Sequence, residues 1–176
     1  DFYPYQFKPV LKFIESTTDR LLIADEVGLG KTIEAALIWL ELQTRKNAKR
    51  LIVFCPTQIL ANKWRDELRD KFLIDARAVR FSDVQDELSE LKRKGANYSF
   101  ALVVTYSGMR PSRDDIRNIR DELSTTEPTV KQQFYKDLQE WEWEFNPFDL
   151  TIFDEAHHMR NPRTANNFLG TVISNV

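Results

Sequence analysis

The segment Leu21-Leu-Ile-Ala-Asp-Glu-Val-Gly-Leu-Gly-Lys-Thr32 constrains this chain more than any other. Leu21 to Ala24 are apolar, short and bounded by charge, the pattern of a central parallel strand. Gly28 and Gly30 then permit a tight turn that aims backbone N–H groups at an anion. Lys31 adds a point charge for terminal phosphates, and Thr32 adds a hydroxyl able to reach magnesium. From Ile33 the period becomes helical, with Ile33, Ala36, Leu37 and Leu40 on one face. Strand, glycine turn, Lys-Thr and helix start together predict a phosphate-binding loop for a nucleoside triphosphate. The strict pattern G-x-x-x-x-G-K-[ST] asks for glycine at position 25, where this chain has Asp25. Asp25 either counts against such a loop or marks a subfamily.

A second motif decides between these. In Leu150-Thr-Ile-Phe-Asp-Glu-Ala-His157 another apolar run ends in two adjacent carboxylates. Ligands of open parallel sheets sit at the carboxyl ends of the strands, so Asp154 and Glu155 are expected on the same edge as the glycine turn. Asp154 suits magnesium, held largely through water because this ion dehydrates reluctantly. Glu155 suits the orientation and deprotonation of the water that attacks a γ-phosphate. A lone Asp-Glu at a strand end is commonly just a solvated acid pair. Both motifs in this order, each after an apolar run, are not.

These residues resemble a known family. Asp-Glu-Val-Gly-Leu-Gly-Lys-Thr-Ile-Glu-Ala at 25–35 is similar to motif I of Swi/Snf-type ATPases, within superfamily-two helicases, where the first glycine slot is commonly Asp. Asp154-Glu-Ala-His157 is similar to motif II, a DEAH box. Tyr3-Pro-Tyr-Gln6 resembles the segment whose glutamine reads the adenine edge, which implies that role for Gln6. Leu51-Ile-Val-Phe-Cys-Pro-Thr57, followed by Trp64, resembles motif Ia, and Val103-Val-Thr-Tyr106 resembles motif Ib. The bacterial branch that includes RNA polymerase-associated ATPases is the nearest in flavour. The resemblance implies an α/β P-loop NTPase fold: a RecA-like parallel sheet flanked by helices, as a single truncated lobe over residues 1–176. It also implies ATP and Mg2+ as ligands. Gly28, Leu29, Gly30, Lys31 and Thr32 would cradle the phosphates, and Lys31, Asp154 and Glu155 would serve catalysis. Thr32 and Asp154 would hold magnesium. His157 would relay the nucleotide state, and Pro56, Thr57 and Thr105 would touch a nucleic-acid backbone.

Composition adds limits. Lys and Arg total 25 against 27 acids, so no overall basic field announces nucleic acid, and any such surface must be local. Cys55, the single cysteine, follows an apolar run and reads as a small core residue. With no signal-like or membrane-length apolar segment, a reducing cytoplasm, nucleoid-associated and bacterial by resemblance, is the simple expectation. Adjacent His157 and His158 are expected to diverge from the backbone, with no third histidine and only the core residue Cys55 as a thiol, so no zinc site is expected.

Elsewhere the chain alternates strand and helix patterns, which implies right-handed crossovers. Arg45-Lys-Asn-Ala-Lys-Arg50 reads as a solvated turn, and Leu51–Cys55 as a strand. Leu60, Trp64, Leu68 and Phe72 mark a helix on which Trp64 belongs to the core. Ala78–Phe81 suggests a short strand, Val84, Leu88 and Leu91 a helix, and Phe100–Tyr106 a strand. Residues 111–147 read as a helical insertion with helices around Asp114–Leu123 and Val130–Trp143, a candidate protein-docking element. Its Trp141-Glu-Trp-Glu-Phe145 run is expected to pack onto the domain.

The chain stops at Val176, before the segment where the resembled family carries motif III and a second lobe with arginine fingers. In that fold the motif III strand lies between the motif I and motif II strands. The expectation is therefore a piece of a longer protein, either with a gap in its sheet or with another segment filling the place. The expected parent function is ATP-dependent translocation on double-stranded DNA that remodels protein–nucleic acid complexes. The piece alone is expected to bind ATP with little turnover. Two other readings stay open: a restriction-type translocase or DEAH-box RNA helicase, and a nucleotide-gated interaction module.

Overall fold

The computed structural model describes residues 3–18, 20–24, 30–120 and 127–175. After a 3-10 turn at Pro4–Phe7, the elements run α1 (Lys8–Glu15), α2 (Lys31–Lys46), β1 (Arg50–Cys55), α3 (Gln58–Phe72), β2 (Ala76–Ala78), α4 (Phe81–Lys94) and β3 (Phe100–Thr105). There follow α5 (Tyr106–Met109), α6 (Arg113–Arg120), α7 (Val130–Gln139), β4 (Leu150–Phe153), a 3-10 turn at Ala156–Met159, and α8 (Ala165–Ile173).

The four strands form one parallel sheet in the order β2-β3-β1-β4. Leu51–Cys55 of β1 and Phe100–Val104 of β3 are apolar and buried, as central parallel strands covered on both faces must be. Alternation along β1 divides the core. Leu51, Val53 and Cys55 face Ala36, Trp39, Ala61 and Leu68 of α2 and α3. Ile52 and Phe54 face the other layer, with Leu88 and Leu91 of α4, Phe134 and Tyr135 of α7, and Leu169 of α8. This is the α/β sandwich expected of a RecA-like lobe.

Several boundaries differ from expectation, each for a local reason. Leu21–Ala24 forms no strand. It pairs with none of the four strands. Among the described residues none pairs with the outer edge of β4, so the segment has no ladder to join. Ile23 still packs against the α2–α3 layer. The short strand is Ala76–Ala78, not Ala78–Phe81, because the backbone N–H of Arg80 donates to Asp83 Oδ2 (2.7 Å) and Phe81 begins α4. Tyr106 leaves β3 because Thr105 caps α5, accepting from Gly108 N–H (3.1 Å).

Nor is 45–50 a solvated turn throughout. Arg45 and Lys46 close α2, where cations suit the helix dipole, and Asn47 caps it in the left-handed region at φ 54°. Arg50 is buried in β1, its guanidinium 2.8 Å from Asp149 Oδ1.

The helices of segment 111–147 pack as part of the domain. Asp115 is the hub joining its helices: Oδ2 accepts from the Ser112 N–H (2.9 Å) and hydroxyl (2.7 Å), and Oδ1 accepts from Thr129 Oγ1 (2.7 Å) and Gln132 Nε2 (3.0 Å). Burial alone would raise this carboxyl; those donors outweigh it and hold it below the usual range. α6 is described to Arg120, with residues 121–126 outside the described set. α7 ends at Gln139, short of Trp143, where the chain turns and Trp141 Nε1–H donates to Phe145 O (2.8 Å). Trp141 packs on the core while Trp143 stays 46% exposed.

Candidate nucleotide site at the carboxyl edge

α2 brings the Lys-Thr pair to the strand ends by simple geometry. Residues 47–49 join its C-terminus to the start of β1, so the two elements run antiparallel and packed together. The 16 residues of α2 rise about 24 Å, close to the roughly 20 Å of the six-residue β1. Lys31 and Thr32, at the helix start, are therefore level with the carboxyl edge.

Gly30 opens the helix at φ 96°, a left-handed conformation natural to glycine, and its carbonyl accepts from Ile33 N (2.7 Å) and Glu34 N (3.1 Å). A Cβ at this position would stand 2.6 Å from Gln6 Nε2, so any larger residue would have to displace the end of that side chain. Gln6 is thus brought from the N-terminal turn to the glycine loop. It is buried, and its Oε1 accepts from Tyr3 N–H (3.0 Å). Gly28 and Leu29, with Asp25, lie outside the described residues.

Asp154 follows β4 on the same edge and is held from three sides. Its N–H donates to Phe54 O of β1 (2.9 Å), its carbonyl accepts from the Tyr106 hydroxyl (2.8 Å), and its Oδ2 accepts from Trp64 Nε1–H (2.9 Å). Burial, then the nearby Asp154 charge, pushes the Tyr106 phenol well above its ordinary range, so it remains a donor. Burial and the same charge also push the Cys55 thiol up, which leaves it inert in the core. Among the described residues Trp64 is the only side-chain donor to the Asp154 carboxylate. Among the described residues none donates to Oδ1, a hard oxygen, and this donor type with the Thr32 hydroxyl fits magnesium.

Of residues 154–157 only Glu155 has positive φ, at φ 52° and ψ 49°. A non-glycine residue there stores strain of order 1–3 kcal/mol, and such outliers cluster at functional sites. Its exposed carboxylate Oε2 lies 3.2 Å from His157 Nδ1. The His157 and His158 rings are 4.4 Å apart, closer than the divergence expected of neighbours, because the backbone here coils as a 3-10 turn. Pro56 and Thr57 follow β1 and Thr105 ends β3, so all three stand at the carboxyl edge. Both threonine hydroxyls serve as helix caps, Thr57 accepting from Leu60 N–H (3.3 Å) and Thr105 from Gly108 N–H (3.1 Å).

Sequence reasoning missed two residues of this edge. Trp64 was read as core, and it is buried, but its indole N–H also orients Asp154. Tyr106 was read as a strand end, yet it holds the Asp154 carbonyl. A signal existed for Trp64: a buried indole N–H needs an acceptor, and few polar groups lie near a helix facing an apolar sheet.

A protein-family model described as "Type III restriction enzyme, res subunit" matches residues 1–173. The chain is similar to "Uncharacterized ATP-dependent helicase YqhH" of Bacillus subtilis (strain 168), at 29% identity over 93% of the chain and 23% of that protein. It is similar to "RNA polymerase-associated protein RapA" of Sodalis glossinidius (28% identity; 92% of the chain, 14% of that protein). It is also similar to "ATP-dependent helicase fft1" of Schizosaccharomyces pombe (30% identity; 80% of the chain, 12% of that protein). The chain thus spans a quarter or less of these relatives. Among the described residues no helix is long and apolar enough to cross a membrane.

Proposed function

The chain belongs to the family described as type III restriction enzyme, res subunit, and on that premise we propose that it is the ATP-binding lobe of an ATP-dependent double-stranded DNA translocase that remodels protein–nucleic acid complexes. The observation that carries this reading is the threefold restraint of Asp154 at the edge where α2 begins with Lys31 and Thr32. A solvated acid pair has no use for a buried indole and a buried phenol that fix one carboxylate's position.

In this reading Lys31 and the loop Gly28, Leu29 and Gly30 hold the phosphates, and Gln6 reads the adenine edge. Thr32 and Asp154 hold magnesium, which supplies charge neutralisation at the terminal phosphates. Glu155 accepts a proton from the water that attacks the γ-phosphorus, the bond to the bridging oxygen breaks, and ADP leaves. His157, 3.2 Å from Glu155, couples this carboxylate to the nucleic-acid side. Pro56, Thr57 and Thr105 grip phosphates without choosing sequence; each threonine hydroxyl that accepts a capping N–H keeps its own hydrogen to donate. An arginine from a second lobe of the whole protein completes the site, so the 176-residue chain by itself binds ATP with little turnover. The RapA relatives' name adds RNA polymerase as a candidate target, in keeping with the bacterial nucleoid location of this reading. The family description favours a restriction-type translocase as the second reading.

The test is ATP hydrolysis by the intact protein with duplex DNA, with RNA, and with neither. Stimulation by duplex DNA is expected. Stimulation by RNA alone would replace this reading with an RNA helicase. Equal turnover in all three would favour a nucleotide-gated interaction module docking through residues 111–147.

A further inference from the structure

We propose that the outward face of α6 is a second nucleic-acid surface, an arginine platform that grips the phosphate backbone of a duplex beyond the strand-end contacts at Thr57 and Thr105. It rests on the duplex-DNA reading above. Arg113, Arg117 and Arg120 recur at helical spacing on one exposed side of α6. Arg163, from the loop before α8, joins them around a shallow depression of about 490 Å³ floored by Ile116. From Arg113 to Arg120 the helix advances about 10 Å, the rise of roughly three nucleotides at 3.4 Å per strand step.

The platform is not explained by the needs of the fold. Of its four guanidiniums, only Arg117 has a carboxylate partner among the described residues, Asp114 at 3.7 Å, with the two side chains 76% and 83% exposed. Such a pair contributes little. Arg120 lies over the Phe168 ring at 5.7 Å, which fixes the guanidinium plane without neutralising it. Arg117 and Arg120 suit the C-terminal end of the helix dipole, but Arg113 opens the helix, where a cation is disfavoured. Four like charges around one depression, in a chain of net charge −2, mark a place where an anion is expected.

Two features choose nucleic acid over an acidic protein segment. All four cations are arginine, whose planar fork matches phosphate geometry better than lysine does. The platform is also continuous with the carboxyl edge: β3 ends at Thr105, α5 follows directly, and residues 110–112 lead into α6. A backbone lying across Thr105 continues onto Arg113.

The test is binding of a fluorescent duplex of roughly 30 base pairs by the intact protein, followed between about 50 and 200 mM salt. The double variant Arg113→Ala/Arg117→Ala removes two exposed side chains, which the fold tolerates. Arg93→Ala/Lys94→Ala removes the same charge from the end of α4, at the opposite edge of the sheet. The expected result is at least a tenfold weaker complex for the α6 variant and a log–log salt slope flatter by about 2. Arg113→Lys/Arg117→Lys keeps the slope, and the α4 variant leaves affinity and slope near wild type. Equal losses in the α6 and α4 variants, or none in the α6 variant while wild type binds, would overturn the platform and leave the translocase reading intact. Loss of poly-glutamate binding without loss of duplex binding would make this face a protein dock. Failure of the wild-type protein to bind duplex would overturn both.

Discussion

Glu155→Gln is expected to lower duplex-stimulated ATP hydrolysis by the intact protein about a thousandfold, within the range for removing a general base. ATP affinity should change by no more than about threefold, because glutamine preserves size and hydrogen bonding and the variant touches only the water-activating group. The geometry makes the split between turnover and binding a specific expectation. Asp154 is restrained through Phe54, Tyr106 and Trp64, whereas Glu155 is exposed, strained at φ 52°, and faces His157. The two neighbouring carboxylates are thus set for different work, one fixed and one presented. Asp154→Asn should instead weaken the magnesium dependence of ATP binding. Equal loss of affinity and turnover in Glu155→Gln would mean that Glu155 belongs to the ligand cradle and not to the water.

Asp149→Ala is expected to destabilise the fold by about 3–5 kcal/mol, the usual cost of removing one partner of a buried ion pair. The corresponding fall in Tm is roughly 10 °C or more for a domain of this size. Asp149 accepts from Lys49 N–H (2.7 Å), Arg50 N–H (2.9 Å) and Arg50 Nη2 (2.8 Å), while Arg50 Nη1 donates to Ala96 O (2.8 Å). One carboxylate therefore aligns the amino ends of β1 and β4, and its arginine reaches the turn before β3. Its removal leaves the Lys49 and Arg50 amides without this acceptor and Arg50 without its counter-charge, held only by carbonyls such as Ala96 O. Asp149→Asn keeps an acceptor for the amides and should cost distinctly less. Chemical denaturation reads both, and a loss under about 1 kcal/mol for Asp149→Ala would mean that water replaces the carboxylate freely.

The sandwich was legible because its strands are dense runs of apolar residues and its helices carry clean stripes. Leu51–Cys55, Phe100–Thr105 and Leu150–Phe153 stand out whatever surrounds them. Elements that depend on a distant partner did not. Leu21–Ala24 has strand composition, but a strand exists only with a neighbour to bond, and among the described residues none pairs with it. Arg50 looked solvated because charge normally is; nothing local announced that Asp149, a hundred residues on, would bury it. The site followed the same rule. Spacing alone singled out Lys31, Thr32, Asp154 and Glu155, since each motif is contiguous. The roles of Trp64 and Tyr106 arise from a fold that draws β1, β3 and β4 together at one edge, and contiguity carries no trace of that.

The central claim is that the carboxyl edge binds ATP with magnesium, and its most direct test is calorimetric titration of ATP into the wild-type protein and Lys31→Ala. Magnesium-dependent binding by wild type and about a hundredfold weaker binding by the variant, close to 3 kcal/mol, are expected. Unfolding curves should be nearly unchanged, since Lys31 sits at a helix start outside the core. ATP bound equally by both proteins, or bound by wild type with no response to magnesium, would contradict it.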